Sequence, residues 1–237
     1  MDSKALAGAD ILVIVNAKSP SDDPAQSAFT DAECDAVHDY VQQGGALLLV
    51  ADHHPCGEAA SNLAGRFGVQ MSGGWTDDST HARVGSGDPG QLLFTKADGQ
   101  LGAHPILQGV PDAPIDTVET FTGQSLLGPS DSSPLLILSA SSMDRVPVSS
   151  TVQHQGSKRI TTFETADHSA AGRVQGLALR SGRGRVVMLG EAAMLTAQKG
   201  DRGGRFGMNS PGNDNRNFAL NVVRWLAGAL DEAAVRQ

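Results

Sequence analysis

The chain has 237 residues, enough to bury a sizeable core in a single domain without metal or disulfide staples. Its 18 basic and 26 acidic residues leave a formal charge of -8, and no stretch gathers Lys and Arg into a stripe, which argues against nucleic-acid binding as the main task. No apolar run approaches the roughly 20 residues that span a bilayer, and MDSKALAGAD lacks the apolar core of a secretory leader, so a soluble, cytoplasmic chain with no membrane partner is expected.

Ile11 to Val15 is apolar throughout, the pattern of a strand buried on both faces of a parallel sheet, and it ends in Asn16 and a polar loop reaching about Ala28. Thr30-Asp31-Ala32-Glu33 is a capping box with Phe29 as its hydrophobic staple, so a helix should run from about Asp31 to Gln43 and stop at Gly44. Its apolar stripe is Cys34, Val37, Tyr40 and Val41, which places Cys34 in the core without chemistry. Ala46 to Ala51 is a second all-apolar run, and strand, helix and strand together make a right-handed parallel βαβ unit. The chain's two cysteines, Cys34 and Cys56, are too few for a disulfide framework and read as reduced thiols.

Gly57 to Phe67 carries one apolar face and predicts a second helix, with a short strand after it at Val69 to Gly73. Residues 72–104 are polar and turn-rich apart from Leu92 to Phe94, and loops of that length are usually functional or mobile. Pro134 to Ser139 predicts a strand, and Ile160 to Phe163 a less strongly patterned one. Gln175 to Leu179 and Arg185 to Leu189, joined by a Ser-Gly-Arg-Gly turn, form a hairpin. A Gly- and Arg-rich loop, Lys199 to Gly212, leads to a last helix with Phe218, Val222, Trp225, Leu226 and Ala229 facing inward.

The segments FTDAE, GGALLLVADH, SNLAGRFGV, SGRGRVVMLGEAAML and FALNVVRWLAG, in this order, resemble the class I glutamine amidotransferase-like superfamily, in an uncharacterised bacterial branch related to gliding-motility and ABC-transporter accessory domains. The resemblance implies an α/β fold, a three-layer sandwich with a mainly parallel, flavodoxin- or amidotransferase-like sheet and a C-terminal antiparallel hairpin. Where amidotransferases carry a Cys flanked by glycines this chain has Asp52-His53, and Glu191 stands without the neighbouring His of their His-Pro-Glu, so glutamine amidotransferase activity is not implied. Relatives begin with one further strand and helix. The chain therefore reads as a single domain, 1–237, lacking that unit, and an exposed sheet edge calls for a homodimer, with or without exchanged elements.

Ligands of open α/β sheets bind beyond the carboxyl ends of the strands, which is where Asp52, His53, His54 and Cys56 follow the second apolar run. The bland alternative is that Asp52 caps a turn and the histidines bond the backbone. Glu191 ends another buried strand, as an acid/base group or as a cap for AAMLTAQ. If the two strands are neighbours, His53 and Glu191 meet. Asp52, His53 and Glu191 are then the candidate catalytic set, and Asp52 and His53 suit a divalent metal such as Zn, although no H-E-x-x-H spacing supports one. Cys56, beside two imidazoles and a helix start, is an alternative nucleophile. His54, Cys56, Gln198 and Asn209 are candidate substrate contacts; Arg202 and Arg205 lie in the same last loop, and Asp77, Asp78 and His81 enter from the earlier one. Two functional readings result: a hydrolase of small ester, amide or phosphoester substrates, or a non-catalytic ligand-binding or assembly domain.

Overall fold

The computed structural model describes residues 2–21, 26–108, 113–199 and 204–230. After a short α1 (Ser3–Leu6), β1 (Ile11–Val15) is joined through α2 (Asp31–Gln42) to β2 (Ala46–Val50), its parallel partner. The capping box forms: Thr30 Oγ1 accepts the Glu33 N–H at 3.3 Å, and Glu33 accepts the Thr30 N–H at 3.0 Å. The chain continues through α3 (Cys56–Gly65), β3 (Gln70–Met71), β4 (Trp75–Asp77), β5 (Leu93–Thr95), α4 (Pro105–Gln108), β6 (Thr117–Glu119), β7 (Leu126–Leu127) and β8 (Ser133–Ile137). A long hairpin of β9 (Met143–Gln155) and β10 (Lys158–Ser169) follows, then β11 (Val174–Ser181) and β12 (Gly184–Leu189). A 3-10 turn at Ala193–Leu195, the small hairpin β13 (Ala197–Lys199) and β14 (Arg205–Gly207), and α5 (Asn215–Leu226) complete it.

The main sheet has seven strands in the order β1-β2-β12-β11-β7-β3, with β8 also on β11. Every residue of β2 is buried, because helices cover both faces of this part of the sheet. Leu47, Leu49, Val186 and Met188 pack with Cys34, Val37 and Val41 of α2 and Ala60 and Leu63 of α3. Leu48, Val50, Val187 and Leu189 pack on the other side with Phe218, Val222 and Trp225 of α5. Cutting one of these leucines to Ala should cost roughly 2–5 kcal/mol.

The mainly parallel sandwich is corrected by the strand directions. Strands make up 36% of the structure and helices 21%. Of the main sheet only β1, β2 and β12 run parallel; β11 opposes β12, and β7, β8 and β3 are joined antiparallel. A second, antiparallel sheet, β10-β9-β4, and two isolated antiparallel pairs lie outside it. The reason lies in residues 72–170, where the described residues bring no amphipathic helix long enough to serve as a crossover, so successive strands there fold back on each other. Gly156, at φ +62, turns β9 into β10, and the Val- and Thr-rich flanks pair over their whole length despite being polar on both faces. AAMLTAQ, expected as a helix, makes a single 3-10 turn before entering β13. Among the described residues no helix is long and apolar enough to cross a membrane.

Candidate functional site

β2 and β12 are neighbours in register, Val50 beside Leu189, so the residues that follow each strand emerge at one level. Asp52 leaves β2 and Glu191 leaves β12. Neither carboxyl is free. Asp52 accepts the N–H of His53 on Oδ1 at 2.9 Å. Glu191, wholly buried, accepts Ala193 N–H on Oε1 and Met194 N–H on Oε2 at 2.8 Å. Glu191 thus takes two consecutive amides, 193 and 194, and fixes the 3-10 turn against the strand end. Burial pushes the Glu191 carboxyl up to about 8, and the nearby Asp52 charge adds to the effect. Burial also raises Asp52, against the pull of its hydrogen bonds and of His53.

The histidines turn away from Glu191. His53 Nδ1 lies 2.9 Å from the His54 carbonyl, and its ring stacks on Trp75 with centroids 5.8 Å apart. His54 pairs with Glu58 one turn on, and its ring meets Trp75 at 5.5 Å and Phe163 at 5.0 Å. Phe163 comes from β10, so this ring cluster joins the long hairpin to the strand ends. Cys56 is buried at the start of α3, where burial first and the Asp52 charge second raise its thiol, the opposite of what a thiolate nucleophile requires.

The remaining candidates are dispersed. Gln198 and Asn209 are together in the β13–β14 hairpin, Asn209 Nδ2 3.4 Å from the Gln198 carbonyl, while the Gln198 amide bonds Thr196. Phe206 of that hairpin makes an edge contact with Phe121 at 5.7 Å. Arg205 starts β14 and is exposed; Arg202 lies outside the described residues. Asp77 pairs with Arg145. Asp78 accepts hydroxyls of Ser139, Ser141 and Ser142 and pairs with His81; burial alone would raise it, but these bonds hold it at about 2. No group of three or more His, Cys, Asp or Glu among the described residues is placed to hold a metal, so Asp52 and His53 lack the partners a zinc site needs.

Three residues that matter here were not foreseen. Asn16 sits at φ +50, a conformation Asn tolerates, and accepts the Asp52 N–H at 2.9 Å. Gln124 donates to the carbonyls of Ala51 and Asp52, at 2.8 and 2.9 Å, and accepts the Gly73 N–H at 3.0 Å. It lies so close to Gly57 that a Cβ there would collide with its amide. Thr122, strained at φ +63, bonds Asp88 and shapes the loop behind Glu191. An Asn directly after an apolar run was the one readable signal. A hollow of about 1290 Å³ opens at the opposite end of the sheet, between Asp10, Tyr40, Gly44 and Leu226, far from this cluster.

No protein-family model matches the chain, and no curated protein does. Among solved structures it is similar to the N-terminal domain of mmIFT52, at 14% identity and a TM-score of 0.62 over 95% of this chain and 80% of that one. Two cytoplasmic proteins of Salmonella typhimurium also align. STM1381 from strain LT2 does so at 13% identity and a TM-score of 0.42 over 96% of this chain and 74% of its own. STM3548 has 9% identity and a TM-score of 0.40 over 95% of this chain and 74% of its own. What the chain shares with the mmIFT52 domain is its fold.

Proposed function

We propose that this is a soluble, non-catalytic assembly domain, cytoplasmic and self-associating, in which the acids at the strand ends hold the structure. One observation carries the reading: both carboxyl oxygens of Glu191 and one of Asp52 accept backbone amides, so they already have partners that a substrate or metal would have to displace. Glu191 is wholly buried, and the imidazole expected beside it is stacked on Trp75.

A hydrolase using Asp52, His53 and Glu191 is the second reading, favoured by a single feature. A carboxyl raised to about 8 has the proton affinity of a general acid near neutrality. Ester, amide and phosphoester substrates offered to purified wild type and His53→Ala, together with metal analysis, decide between them. The assembly reading expects no turnover and no bound metal; turnover abolished by His53→Ala would replace it with the hydrolase.

A further inference from the structure

β1 ends the main sheet, and among the described residues no strand pairs with its outer side. Its inner side is fixed by β2: the Asn16 N–H donates to the Val50 carbonyl at 2.9 Å, and the Ala46 N–H donates to the Asp10 carbonyl at 3.1 Å. In a parallel ladder the backbone groups alternate in direction, so the N–H and C=O of Ile11, Val13 and Val15 point outward. The side chains of Leu12 and Ile14 pack with the α2 and α3 cluster, and Ile11 reaches the α5 cluster, but Val13 and Val15 lie beyond the helix cover and are 54% and 50% exposed. Soluble proteins guard such edges with Lys, Pro or a bulge, and Ile-Leu-Val-Ile-Val has none of these.

We infer that the outer edge of β1 pairs antiparallel with β1 of a second copy, about a two-fold axis through Val13, to make one sheet continuous across a homodimer. This rests on the assembly reading and names its partner. The strand is self-complementary in that register. Ile11 meets the partner's Val15 and Leu12 the partner's Ile14, so apolar faces apolar on both surfaces. Every outward N–H and C=O gains a partner, since residues 11, 13 and 15 of one copy oppose 15, 13 and 11 of the other. Just outside the strand Asp10 faces the partner's Asn16, and Gly8 faces the partner's Lys18, so no like charges oppose each other. A parallel or shifted pairing loses this symmetry.

Light scattering across a concentration series, on wild type and Val13→Lys, provides the test, with circular dichroism to confirm that both are folded. A dimeric wild type and a monomeric Val13→Lys are expected, since opposed lysines at the axis repel. Val13→Cys provides a second readout that needs no loss of binding. An opposed hydrogen-bonded pair holds its Cα atoms about 5.5 Å apart, within disulfide range, so mild oxidation should crosslink it as a dimer. Val223→Cys, also on the surface but on α5, should stay uncrosslinked; Cys34 and Cys56 are buried and do not interfere. A monomeric wild type overturns the proposal, as does a dimer that survives Val13→Lys or leaves Val13→Cys uncrosslinked. A monomer whose β1 edge instead takes up another protein's strand overturns it too. Failure of the non-catalytic part of that reading shows elsewhere, as His53-dependent turnover, whatever the mass.

Discussion

Asp52 and Glu191 leave adjacent parallel strands at the same level, and the charge of Asp52 adds to the burial that holds the Glu191 proton. The folded chain keeps that proton up to about 8, whereas the unfolded chain releases it near 4.5. A group raised in this way contributes stability that is fully present below 4.5 and lost as pH rises through 8. Asp52 is shifted in the same direction. Denaturant melts between about pH 5 and pH 9 should therefore show stability falling by on the order of a few kcal/mol, with a shallower slope in Glu191→Gln. A wild type that gains stability over this window would contradict the burial and coupling described.

Phe163 fastens the long hairpin to the strand ends through His54 and Trp75. Phe163→Ala should cost about 0.5–1.5 kcal/mol beyond its lost burial and free the arm. Limited proteolysis should then cut faster within 147–165, where most residues are already exposed, and leave the main sheet intact. An unchanged cleavage rate would show that the rings do not hold the arm.

Asp78 gathers three serine hydroxyls and His81 at a buried carboxylate. Asp78→Ala leaves those donors unpaired and should destabilise the fold by about 2–4 kcal/mol in urea melts. Its carboxyl is held at about 2, so the contribution is present above 3.8 and lost as pH falls through 2. A loss well below 1 kcal/mol, on the order of a surface substitution, would mean that this network is not structural.

Cys56 should behave as a buried, protonated thiol. Iodoacetamide should label it at a rate set by unfolding. Fast labelling of the native protein would revive the cysteine nucleophile.

The parallel half of the fold was legible because it rests on strong local signals: two all-apolar runs, a capping box and a Gly-Gly stop. Those residues gave α2 to within one residue and the place of both strands, but β1, expected to be buried on both faces, is an edge strand with Val13 and Val15 half exposed. Of the antiparallel part, the β11–β12 hairpin was read as it forms, but the β9–β10 arm was not recognised, because its outer length is solvated on both faces and lacks the alternation that marks a strand with one buried side. The place of the candidate site could also be read, since Asp52 and Glu191 do come together. Its roles could not. Whether an acid at a strand end faces substrate or its own backbone depends on the turn that follows, and AAMLTAQ, which reads as a helix, forms a 3-10 turn and a short strand instead.

Hydrogen exchange at the amides of His53, Ala193 and Met194 tests most directly whether the acids are engaged by the backbone. Slow exchange of all three in wild type is predicted, with Ala193 and Met194 released by Glu191→Ala and His53 by Asp52→Ala. Exchange of the three at free-amide rates in the wild-type protein would contradict it and leave both carboxyls available for chemistry.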